Sequence, residues 1–63
     1  MSSERIEVWI RRLRDTDINV RREAIQQLEA LGDPAALGAL AAVFALDTDL
    51  ETRKMAQWAG KSI

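Results

Sequence analysis

Two carboxylate pairs, Asp15/Asp17 and Asp47/Asp49, are the groups whose type and spacing most invite a chemical reading, as general acid and general base. The remaining inventory does not support them. The 63 residues contain no His, Cys or Tyr and only two lysines, Lys54 and Lys61, so the usual nucleophile–base pairs cannot be assembled. The hydroxyls of Ser2, Ser3 and Ser62 lie near the two ends of the sequence. Without Cys or His there is no disulfide and no usual zinc ligand set, and the acids are not spaced around a Gly as a calcium loop requires. Each Asp pair therefore reads as turn and cap chemistry, because Asp accepts from the free backbone N–H groups at a helix start. No catalytic residue, cofactor site or metal site is expected, and the chain is not expected to be an enzyme.

Recognition of nucleic acid is the second chemistry to weigh. Arg5, Arg11, Arg12, Arg14, Arg21 and Arg22, with Gln26 and Gln27, can be drawn as a recognition helix for a major groove. Yet residues 1–31 carry six basic and six acidic side chains, and the whole chain sits at −1. A balanced half lacks the electrostatic excess on which phosphate binding depends, so a solvated face with structural pairing is the favoured reading. The same balance argues against an anionic membrane surface, and no apolar run is long enough to span a bilayer. Met-Ser-Ser-Glu shows neither a basic nor an apolar leader region, which sets the expectation of a cytoplasmic protein.

The elements that must position these groups are helical. A first helix is expected from about Ser3 to Arg14, capped by Ser2 or Ser3, with Glu4 and Glu7 near its positive end and Ile6, Trp9, Ile10 and Leu13 as its apolar stripe. Asp17 is placed to cap a second helix, Ile18 to Leu31, whose buried stripe is Val20, Ala24, Leu28 and Leu31, widened by Ile25; Gly32 ends it. Asp33-Pro34 is a start signal for a third helix reaching Leu46, with Leu37, Leu40, Ala41 and Phe44 as the expected inner face. A fourth begins after Asp49 and runs to about Ala59 or Gly60, with Thr52, Ala56, Ala59 and Ile63 inward and Gly60 marking a frayed end. Connections of one to three residues suit antiparallel neighbours, so the expected fold is all-α, two stacked antiparallel helical hairpins within one domain, 1–63.

The third helix carries no charge from Pro34 to Leu46 in a chain that is 30% charged. A helix apolar nearly all round is normally covered on both sides, and a four-helix unit covers only one. Ala35, Ala39 and Ala42, with Val43 and Leu46, are therefore candidates for contact with another chain. Trp9 borders the first helix's inner stripe and reads as core. Trp58 stands opposite polar Gln26 when the two halves are aligned and is a candidate contact residue.

That alignment is an internal repeat. With Asp15-Thr16-Asp17 set over Asp47-Thr48-Asp49, Ile18 lies over Leu50, Arg21 over Arg53, Arg22 over Lys54 and Ala24 over Ala56. A repeat of this kind points to stacked helices, in which one unit cannot bury its apolar face alone. A marginal core and the absence of staples add to the case for association.

The run from Asp15 to Leu28, followed by Leu31-Gly32-Asp33-Pro34-Ala35-Ala36, resembles a HEAT repeat, and more narrowly the HEAT-like repeats of phycobilin lyases and related scaffold proteins. The resemblance covers roughly Leu13 to Ala59. The second copy departs from it, with Thr52 where a hydrophobe precedes Arg and Gly60 at the position of Leu28, as in a terminal, capping repeat. The resemblance implies pairing of turn Asp with helix Arg within and between repeats, which brings in Asp15, Asp47, Arg21 and Arg53, beside the caps Asp17 and Asp49. It also implies a protein–protein scaffold module, binding a partner or itself as a homodimer through apolar helix faces. An accessory role in phycobilisome or bilin-lyase assembly is the alternative, and Arg-mediated nucleic-acid binding the second alternative.

Overall fold

The computed structural model describes residues 2–63, with side chains from Arg5 onward; the expected capping by Ser2 or Ser3 and the placement of the Glu4 side chain lie outside that range. Four α-helices follow one another: α1 (Ser2–Arg12), α2 (Ile18–Leu31), α3 (Leu37–Leu46) and α4 (Leu50–Ser62), with a single 3-10 turn, Pro34–Ala36, leading into α3. Among the described residues there is no strand.

Each boundary has a local cause. After α1 the chain tightens, the amides of Arg14 and Asp15 bonding three residues back, so the α-helix stops two residues short of Arg14. Asp15 Oδ1 then accepts from the amide of Asp17 at 2.8 Å, and Asp17 Oδ1 caps α2 by accepting from the Asn19 amide at 2.8 Å. Gly32 ends α2 at φ 65°, a left-handed conformation that a side chain would strain. Asp33 Oδ1 accepts from the Ala35 amide at 2.9 Å, with Pro34 first in the turn. Asp47 and Asp49 repeat the first turn: Asp47 Oδ1 takes the Asp49 amide, and Asp49 Oδ2 takes the Thr52 amide, both at 2.9 Å. The fourth helix does not fray at Gly60. It continues to Ser62, and the amide of Ile63 still reaches the Ala59 carbonyl.

Helix α1 packs on α2, α3 packs on α4, and α2 lies against α4. The two hairpins thus stack through α2 and α4, while α1 and α3 form a second layer and scarcely meet. The core between the layers holds Ile6, Leu13, Ala24, Ile25, Leu28, Ala36, Leu40, Val43, Ala56 and Ala59. On α2 the buried set is Ala24, Ile25 and Leu28; Val20 is half-buried and Leu31 exposed.

The inner face of α3 differs from the sequence expectation. Ala36, Leu40 and Val43 point inward, whereas Leu37, Ala41 and Phe44 are exposed. An all-apolar helix has no polar face to fix its rotation, so its periodicity cannot say which stripe is buried. The neighbours decide. Leu40 and Val43 join the core between the helices, and Asp47, next after α3, pairs with Arg21 of α2.

Candidate functional site

The two Asp-Thr-Asp turns lie at the ends of α1 and α3, and what they hold differs between copies. Asp47 accepts from Arg21 of the preceding hairpin, Nε to Oδ2 at 2.8 Å and Nη2 to Oδ1 at 3.3 Å. Arg21 Nη1 meanwhile donates to the carbonyls of Asp15 and Thr16 at 2.9 and 3.2 Å. One guanidinium therefore clamps its own turn through carbonyls and the next turn through a carboxylate, using the planar fork that Arg offers and Lys lacks. The pair is largely covered, the side chains 14% and 5% exposed.

A second rung stands beside it. Arg22 Nη2 meets Asp49 Oδ2 at 2.8 Å and Arg22 Nε meets Thr52 Oγ1 at 3.2 Å, while the Thr52 hydroxyl donates to Asp49 Oδ2 at 2.7 Å. Thr52 is fully buried, and its hydroxyl both donates and accepts, as a buried polar group must. Its place at the position of Val20 thus has a structural reason. The Arg22 guanidinium, followed by the Thr52 hydroxyl and amide, lowers the Asp49 carboxyl from 3.8 to about 2. Asp49 is therefore ionised near neutral pH and holds no proton to donate.

The expected ladder of Asp15, Asp47, Arg21 and Arg53 is only partly assembled. Asp15 contributes its backbone carbonyl rather than its carboxylate. Arg53 makes no ion pair among the described residues; its Nε donates to the Phe44 carbonyl at 2.7 Å and its guanidinium lies 5.8 Å from the Phe44 ring centre. Sequence reasoning missed the Arg22–Asp49–Thr52 cluster. The available signal was the spacing of Asp49 and Thr52, which is that of an N-cap and the third helical residue.

Because α1 and α3 stand apart, a cleft of about 630 Å³ opens between them. Ile10, Leu13, Ala39, Ala42, Val43 and Leu46 supply its apolar surface, and Glu7, Arg11 and Arg14 stand at its edge. Four of the six candidate contact residues therefore share one site. Their exposure differs: Ala42 and Leu46 are exposed, Leu46 at 79%, Ala39 is half-buried, and Val43 belongs to the chain's own core. Ala35 is exposed but does not line this cleft. Trp58 is 69% exposed and stands beside a separate shallow hollow with Ile25, Gln26, Glu29, Lys54 and Met55.

The basic cluster does not form one surface. Arg11 and Arg14 border the cleft, Arg12 lies over the Trp9 ring at 4.7 Å, and Arg21 and Arg22 are spent on the ladder. No helix among the described residues is long and apolar enough to cross a membrane.

No curated protein and no solved structure matches the chain, so the narrower likeness to phycobilin lyases has no support from comparison. The family model for HEAT repeats matches residues 2–60. HEAT repeats generally mediate protein–protein interaction or scaffolding, and they are typically non-catalytic. With two hairpins stacked through an Arg–Asp ladder and that match spanning nearly its whole length, the chain belongs to the HEAT repeat family.

Proposed function

We propose that this protein is a non-enzymatic interaction module that seats an apolar helical segment of a partner protein in the cleft between α1 and α3. The observation that carries the reading is the wall supplied by α3: an uncharged helix that presents Ala42 and Leu46 to an open cleft. Small side chains on that wall let a partner backbone approach closely, and Leu46 offers apolar area that would otherwise stay in water. Arg11 and Arg14 share the lining with Glu7 and Asp15, so its charges are of both signs and fix the register of a bound segment rather than its affinity. A bilin-linked role rests on resemblance alone. A nucleic-acid role has less support, because two of its arginines are already engaged with carboxylates.

The test is capture of partners by tagged wild type, Ala42→Glu and Lys61→Glu. Ala42→Glu places a carboxylate on the cleft wall, where a bound partner would strand it without water. A partner held by wild type and Lys61→Glu but lost by Ala42→Glu supports the cleft. Equal capture by Ala42→Glu overturns it.

A further inference from the structure

We propose that copies of this chain associate head to tail, the outer flank of the second hairpin in one copy stacking on the Asp15–Asp17 turn of the next. The interaction that joins the two hairpins is half-repeated at each end of the molecule. Inside the chain, Arg21 and Arg22 reach forward to Asp47 and Asp49. In the repeat register Arg53 stands for Arg21 and Lys54 for Arg22, yet neither meets a turn carboxylate. Arg53 is turned back on Phe44, and Lys54 has only a loose 3.9 Å contact with Glu51, both side chains mostly in water. In the first turn Asp15 and Asp17 accept, among the described residues, backbone amides alone, where Asp47 and Asp49 accept amides and guanidinium groups together. Among the described residues, Arg53 and Lys54 thus lack the carboxylates, and Asp15 and Asp17 the guanidinium groups, that their counterparts have where the two hairpins join.

Exposed apolar side chains accompany the basic pair, with Phe44 beside Arg53. Leu37, Ala41 and Phe44 recur at i, i+4 and i+7 and so form one stripe, on the flank of α3 opposite the cleft residues Ala39, Ala42 and Leu46. Leu37, Phe44 and Leu50 are 40%, 41% and 60% exposed, and Leu50 holds the register of half-buried Ile18. Gln57 replaces buried Ile25 in that register, which makes the stacking weaker than the internal one. A head-to-tail contact is heterologous, so it propagates instead of closing on two copies.

Sedimentation velocity on the full chain, in a concentration series up to about 1 mM, tests this. The expected mass rises with concentration and passes that of two copies without a plateau. Lys54→Glu sets like charges against a second copy's Asp17 and should weaken association at least about tenfold, with melting unchanged. Asp17→Asn keeps a capping side chain while removing the charge, and should weaken it too. Ala42→Glu, in the cleft, should leave it as in wild type. A mass that stays monomeric, a plateau at two copies, or association indifferent to both charge variants overturns the proposal. None of these outcomes bears on the cleft, whose test reads partner capture.

Discussion

Arg21→Met isolates the clamp between the hairpins. Methionine keeps much of the aliphatic stem but removes the guanidinium, and with it two bonds to the Asp47 carboxylate and two to the carbonyls of Asp15 and Thr16. Asp47, with its side chain only 5% exposed, then keeps the Asp49 amide as its hydrogen-bond partner. Removing one member of a buried pair costs about 3–5 kcal/mol, and the surviving amide places this case near 3 kcal/mol. A domain of this length has roughly 3–9 kcal/mol in all, so the variant should lose a third or more of its stability. At about 4–8 °C per kcal/mol the melting temperature should fall by about 12–24 °C. Thermal and urea unfolding followed by far-ultraviolet circular dichroism reads both quantities. Asp47→Asn in the same background removes the stranded charge and should recover about 1–2 kcal/mol, which appears as coupling in the double-mutant cycle. A melting shift under about 4 °C, with coupling under about 0.5 kcal/mol, would refute the view that this pair joins the hairpins.

The rotation of α3 is checked by a contrast: Leu40→Ala should cost about 2–5 kcal/mol as a core cavity, whereas exposed Ala41→Glu should change stability by less than about 0.5 kcal/mol. The reverse ranking would restore Ala41 to the core. Asp49 predicts the acid limb. Its folded pKa lies below the ordinary carboxylate value, so its contribution is complete above about pH 4 and is lost as pH falls toward 2. Thr52→Val removes a buried hydroxyl that bonds Asp49, should cost about 1–2 kcal/mol at neutral pH, and should shrink that acid-dependent loss; unfolding at several pH values measures both.

The sequence by itself determined the number of helices and their caps, because those signals are local, but not the ends of α1 and α4 or the 3-10 turn that precedes α3. Asp17, Asp33 and Asp49 each lie one residue before the turn or helix they cap, and Gly32 closes α2 with the left-handed backbone that its lack of a side chain permits. The stripes of α1 and α4 were also legible, since charged residues on those helices mark which side faces water. Only the tertiary structure decided the rotation of α3, where no charged residue marks a side, and so Leu37, Ala41 and Phe44 emerged outside while Val43 went in. It alone also decided the pairing of Arg21 with Asp47 and of Arg22 with Asp49 and Thr52. Such pairs join residues distant in sequence, and they depend on how far α2 and α4 slide along one another, which spacing within a single helix does not encode. The cleft has the same origin: it exists because α1 and α3 each pack on their own partner helix and leave space between them.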